Sequence, residues 1–221
     1  HHIHLHRPRH PRPLARTRHP PCPAYAVTSS PTPQDPLLRL LDAGLAQARQ
    51  GLDALCADAA TRQAIAAAIG LLVHTLRLGG RVIACGNGGS MCEAMHFADE
   101  LTGRYRQDRP ALPATAIADP GHLTGVGNDF GFDQVFARHV QAHGRAGDCL
   151  VALSTSGRSA NVIEAARAAR AQGLSVIGLT GHADAALGPL CTVHLCTPAG
   201  HWADRVQELH LTLRRAQEEM A

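Results

Sequence analysis

Leu37, Leu38, Leu41, Leu45, Leu52 and Leu55 recur at helical spacing, and Ile65, Ile69, Leu72, Val73 and Leu76 form a second such stretch. Residues 37–78 are therefore predicted as helix, with Gly79-Gly80 ending the second stretch. The pattern then changes. Short unbroken apolar runs, Val82-Ile83-Ala84-Cys85 and Cys149-Leu150-Val151-Ala152-Leu153, read as buried strands. Further strands are predicted near 114–118, 175–179 and 192–196, and helices near 90–104, 132–143, 159–172 and 202–218. Strands alternating with helices imply a parallel sheet covered on both faces, with ligands bound beyond the carboxyl ends of the strands. The fold class expected is α/β, with no internal repeat.

Two small-residue turns fall at that end. GNGGS (Gly86 to Ser90) follows the first apolar run, and STSGRS (Ser154 to Ser159) follows the second. A strand, a Gly/Ser turn and a helix N-terminus present backbone N–H groups and hydroxyls to an anion. Gly, Ser and Asn are also common turn residues, so either turn alone would be a weak signal. Two in one parallel sheet suggest a sugar-phosphate pocket.

Composition sharpens this reading. The first 36 residues hold nine of the fourteen prolines, six of the fifteen histidines and five arginines against one acid, Asp35. They are read as a disordered extension outside the folded domain, 37–221, and carry +4 of the overall +3, leaving −1 for the rest. The basic balance is thus no argument for nucleic-acid binding by the folded part. An upstream extension from a wrong start site or a targeting-like segment is expected ahead of a metal-binding histidine tail. The chain does not open on Met, which favours the start-site reading, and the segment lacks the apolar region of a secretory signal. No apolar run of about twenty residues is seen, so no membrane span is expected. Seven cysteines without a CxxC pair fit a reducing cytoplasm, with Cys85 and Cys149 as small buried hydrophobes. There is no lysine, which excludes Schiff-base chemistry and a Walker-type phosphate lysine.

The run CGNGGSMCEAMHFADELTGRYR (85–106) resembles the sugar-isomerase (SIS) domain, and within it the phosphoheptose isomerases. The similarity continues through GNDFGFDQVFARHV (127–140), GDCLVALSTSGRSANVIEAARAAR (147–170), VIGLTG (176–181) and ADRVQELH (203–210). The resemblance implies a five-stranded parallel sheet flanked by helices, a flavodoxin-like three-layer sandwich, in homotetramers with active sites between subunits. It implies conversion of D-sedoheptulose 7-phosphate to D-glycero-D-manno-heptose 7-phosphate, the first step of ADP- or GDP-heptose synthesis for surface polysaccharide.

Aldose–ketose isomerisation needs a base beside the carbonyl and a group that stabilises the enediolate oxygen. His96 and Glu100 lie four apart and share a helix face. The resemblance makes Glu100 the catalytic base, and His96, Glu100 and Gln207 the ligands of a possible Zn2+. It assigns substrate contacts to Asn87, Gly88, Ser90, Glu100, Arg104, Asp129 (read as lying in a loop), Ser154, Thr155, Ser156, Ser159, Asp204 and Gln207.

The last helix departs from the family. Eight residues beyond Gln207, where the resemblance calls for a histidine that is both zinc ligand and second acid/base, stands Arg215. At about 100° per residue, Asp204, Gln207 and Arg215 lie within roughly 80°, while His210 lies about 60° to the other side of Gln207. Arginine stays protonated and can neither ligate zinc nor shuttle a proton. The polar run RRAQEEMA (214–221) fits an altered C-terminus. Arg215 therefore keeps open a second reading, a non-catalytic SIS tetramer binding the DnaA replication initiator, whereas His96, Glu100 and FGFD (130–133) favour the enzyme. A sugar-phosphate sensor has no appended DNA-binding domain to act through.

Overall fold

The computed structural model describes residues 36–104, 108–197 and 204–210. Arg215 and the expected extension lie outside these residues, except for Pro36, which opens the first helix rather than closing the extension. The described residues from 40 onward form one compact unit.

Helices α1 (Pro36–Ala57) and α2 (Ala59–Arg77) match the two leucine- and isoleucine-rich stretches. Asp58 separates them and caps α2, its carboxylate accepting from the Ala60 N–H at 3.0 Å. Gly79, at φ +80°, follows the end of α2, as the Gly-Gly pair predicts. By length and composition α2 could cross a membrane, which the sequence reading did not anticipate. In this fold it lays Ala68 and Leu72 into the core beside Val82 and Leu195.

The strands are β1 (Val82–Gly86), β2 (Ala114–Ala116), β3 (Cys149–Leu153), β4 (Ser175–Thr180) and β5 (Val193–Cys196), each near its predicted place. They form one all-parallel sheet in the order β2-β1-β3-β4-β5. Alternate residues feed two cores. Val82, Ala84, Val151 and Leu153 face α2 and α3 (Gly89–Thr102), while Ile83, Cys85, Leu150 and Ala152 face α5 (Val135–His143) and α6 (Ala160–Ala171). This is the expected three-layer α/β arrangement. The order in which strands are laid down reverses between β1 and β3, β2 being added on one side of β1 and β3 on the other, so the crevice of a doubly wound sheet opens there.

One helix was missed. α4 (Pro120–Phe130) carries three glycines and buries no residue, so neither propensity nor periodicity marks it. It is started by Asp119, whose carboxylate accepts from the His122 N–H at 2.7 Å, with Pro120 in the first turn. This corrects the placement of Asp129, which sits in the last turn of α4 rather than in a loop.

α4 and α5 bring three histidines together. The ring of His139 lies edge-on to His122 at 5.3 Å and tilted against His143 at 4.5 Å. Burial, and then the neighbouring His143 and His122, push His139 down to about 4. The unfolded chain, titrating near 6.5, therefore binds more protons than the folded one between pH 6.5 and 4, so stability is lost as pH falls through that window. Denaturant midpoints should drop between pH 7 and 5.5, and less so in His139→Phe; an equal drop in both would remove His139 as the cause.

Candidate functional site

Both Gly/Ser turns sit at the switch point. β1 and β3 pair in register up to Gly86 and Leu153, so the turns leave the sheet side by side. In the first, Gly88 adopts φ +53° and caps α3 without a side-chain acceptor, and Ser90 is buried in the opening turn of the helix. In the second, Ser154 is buried, and its Oγ accepts from the Gly157 N–H at 3.1 Å and lies 3.0 Å from Ser159 Oγ. Ser156 is exposed, with its Oγ accepting from the Arg158 N–H at 3.2 Å. Gly157 has φ +63°, and a β-carbon there would overlap that of Ala185, so the turn requires glycine. Ser159 caps α6 without a side-chain cap bond. Two helices thus start at one crevice with no side-chain acceptor at their caps, an arrangement suited to a dianion.

The turns are also tied together. Asn87 Nδ2 donates to Asn161 Oδ1 at 2.9 Å, and Asn161 Nδ2 donates to Asn87 Oδ1 at 2.8 Å. Sequence reasoning missed Asn161, which is buried in the first turn of α6. The only hint in the sequence was an asparagine just after a predicted helix start.

α3 carries the acid–base pair away from the first turn. His96 Nε2 lies 2.9 Å from Glu100 Oε1, with Glu100 half-buried and His96 more open. The end of α3 is secured by another residue that sequence reasoning passed over. Arg109 donates to the carbonyls of Glu100 at 2.7 Å and Leu101 at 2.9 Å, filling acceptors a helix C-terminus leaves open.

The described part of the last helix, residues 204–210, lies against the same helix α3. A β-carbon at Gly89 would overlap the Gln207 amide, so glycine there lets Gln207 reach the first turn of α3. His210 is fully buried, with Nε2 3.3 Å from the Thr180 carbonyl and Nδ1 3.9 Å from the Glu93 carboxylate. Burial pushes it down to about 4. It packs as a core residue and does not stand in for the histidine replaced by Arg215.

The structure brings Asn87, Gly88, Ser90, Ser154, Thr155, Ser156 and Ser159 to one crevice, with Gln207 beside it and His96 and Glu100 further along α3. Asp204 is exposed and lies 3.7 Å from its neighbour Arg205. Arg104 is exposed just past α3, and Asp129 accepts from Asn128 Nδ2 at 2.8 Å. Neither shares a hydrogen bond or ion pair with the turns among the described residues. His96 and Glu100 are a two-donor pair; among the described residues no three His, Cys, Asp or Glu side chains gather around one point. Gln207 sits about two helical turns before His96 along α3. One chain's described residues do not assemble a closed metal site.

The SIS-domain family profile matches residues 46–181. The phosphoheptose isomerase of Edwardsiella ictaluri is 50% identical over 172 residues, 78% of this chain and 89% of that protein. The chain belongs to the phosphoheptose isomerase family. That of Sodalis glossinidius is 51% identical over 167 residues, 76% of this chain and 86% of that protein. The solved phosphoheptose isomerase of Neisseria gonorrhoeae superposes with TM-score 0.77 at 38% identity, covering 83% of this chain and 97% of that one. That of Francisella tularensis gives 0.78 at 32% identity, covering 83% and 97%. This family membership supports a sugar-phosphate isomerase.

Proposed function

We infer that the chain converts D-sedoheptulose 7-phosphate to D-glycero-D-manno-heptose 7-phosphate. The observation that carries this, together with the family, is the twin-turn crevice at the switch point with a His96–Glu100 pair on the helix leaving its first turn. The phosphate sits on the hydroxyls and N–H groups of Ser90, Ser154, Thr155, Ser156 and Ser159. The Glu100 carboxylate takes a proton from C1 of the ketose, the C1–C2 bond becomes an enediolate, and the proton returns at C2 to give the aldose. No electrons are gained or lost. His96, within hydrogen-bond distance, orients the carboxylate. Asn87, Gly88, Arg104, Asp129, Asp204 and Gln207 are assigned to substrate.

Zinc is the metal we assign to His96, Glu100 and Gln207, an imidazole, carboxylate and amide set that one chain does not gather at one point and that lacks the histidine replaced by Arg215. When bound it would polarise the sugar carbonyl; no step above depends on it. We place the enzyme in the cytoplasm, in keeping with its unpaired described cysteines and the pool of sugar phosphates there.

The replacement of Ser154 and Ser156 by alanine removes two hydroxyls that can bond a charged group, each worth about 1.5–3 kcal/mol. Sugar-phosphate affinity should fall at least tenfold in titration calorimetry; unchanged affinity would put the phosphate elsewhere.

We propose a homotetramer. Leu41, Leu45 and Leu52 of α1 are 43–60% exposed and share one helix face, an apolar stripe that a second copy would cover. Light scattering should show an assembly of four, and Leu41→Glu/Leu45→Glu should break it; a concentration-independent monomer would contradict this. Arg215 alone favours the second reading, a tetramer that binds the DnaA initiator without chemistry.

A further inference from the structure

We propose that Asn161 is a positioning residue that locks the two phosphate turns into one cradle by holding the Asn87 amide in a single orientation; this rests on the reading of the turns as the phosphate seat. The two amides face each other reciprocally, each donating to the other at 2.8–2.9 Å. They join positions 74 residues apart, across the β1–β3 boundary where the crevice opens. Asn161 is 2% exposed, and its Oδ1 also accepts from the Val162 N–H at 3.0 Å. The helix that begins the second turn's far side therefore holds Asn161, and Asn161 holds the first turn.

The geometry restricts what can replace it. An amide has a donor on one side and an acceptor on the other, so two facing amides close a ring that fixes each relative to the other, and the Val162 N–H bound to Asn161 Oδ1 fixes which way the pair points. With Nδ2 and Oδ1 of Asn87 each already committed on one side, only the remaining N–H and lone pair face the crevice. An Asn87 amide free to flip would present its donor and acceptor in either order. Asn161 is too buried to reach a ligand, so its effect passes through Asn87 and through the spacing of Gly88 and Ser90 from Ser154 and Ser156. A cradle of preset spacing binds without the cost of ordering two loops.

The test is a double-mutant cycle on the full-length protein, read by calorimetric affinity for sedoheptulose 7-phosphate and by steady-state kinetics. Asn161→Ala should weaken affinity about three- to tenfold and raise KM, with kcat at saturation within about threefold of the parent. In an Asn87→Ala background the same change should add less than twofold. Equal losses in both backgrounds, or unchanged affinity in the single variant, would overturn the proposal. Thermal melts of every variant guard against a folding defect: the affinity loss should appear in Asn161→Ala while it still melts cooperatively well above the assay temperature. Asn161→Asp keeps the size and the Val162 acceptor, but its ionised carboxylate cannot donate to Asn87, so it should lose affinity and, because it buries a charge, lower the thermal midpoint; full affinity in this variant would also overturn the proposal. Ser154→Ala/Ser156→Ala is the control for the site itself. If that control leaves affinity intact, the phosphate reading fails; if it weakens binding while the Asn161 variants do not, only the lock fails.

Discussion

Glu100→Gln should lower turnover of sedoheptulose 7-phosphate by about 10²–10⁴, the usual contribution of a positioned base, while substrate affinity stays near that of the parent. The amide keeps the length and shape of the carboxylate and can still meet His96 Nε2, now 2.9 Å from Oε1. It cannot accept the C1 proton. The C-terminal turn of α3 remains held by Arg109, which bonds the Glu100 backbone carbonyl rather than its side chain. The fold should therefore be unaffected, and the loss should appear in kcat and not in KM. Single-turnover kinetics with a calorimetric affinity check would measure it. A variant that retained turnover would move the base elsewhere on the site, with His96 next in line.

Arg215→His should raise turnover by about 10²–10⁴-fold, the contribution of a restored general acid–base step. Once C1 has lost its proton, the proton on O1 must move to O2 before the aldose can form. A guanidinium, protonated at every accessible pH, cannot relay it, whereas a histidine titrates near neutrality. The packing of His210 strengthens this expectation. It is fully buried between the Thr180 carbonyl and Glu93, so His210 does not substitute for the missing imidazole. Comparing kcat for the two chains decides it. Equal and high turnover in both would show that the position is not needed for proton transfer.

The sheet was legible because its strands are buried on both faces and so read as unbroken apolar runs, as β1 and β3 do. The turns were legible because small residues clustered where strand gave way to helix. α4 was not, since three glycines and no buried side chain leave no period to find; only its Asp119-Pro120 start is written locally. The Asn87–Asn161 pair was not legible either. Its members are 74 residues apart, and their meeting depends on β1 lying beside β3, which is a property of topology and not of any local segment. The use of Gly89 belongs to the same class: its lack of a side chain matters only because Gln207 comes to rest there. The pairing of His96 with Glu100 was readable from spacing alone, because a helix makes neighbours of residues four apart.

The most direct test of the account is to incubate the full chain with sedoheptulose 7-phosphate in deuterated buffer and follow the sugar by NMR. The account predicts slow formation of D-glycero-D-manno-heptose 7-phosphate with deuterium incorporated at C2, faster in Arg215→His and absent in Glu100→Gln. No aldose and no deuterium in either the parent or a folded Arg215→His chain would contradict it.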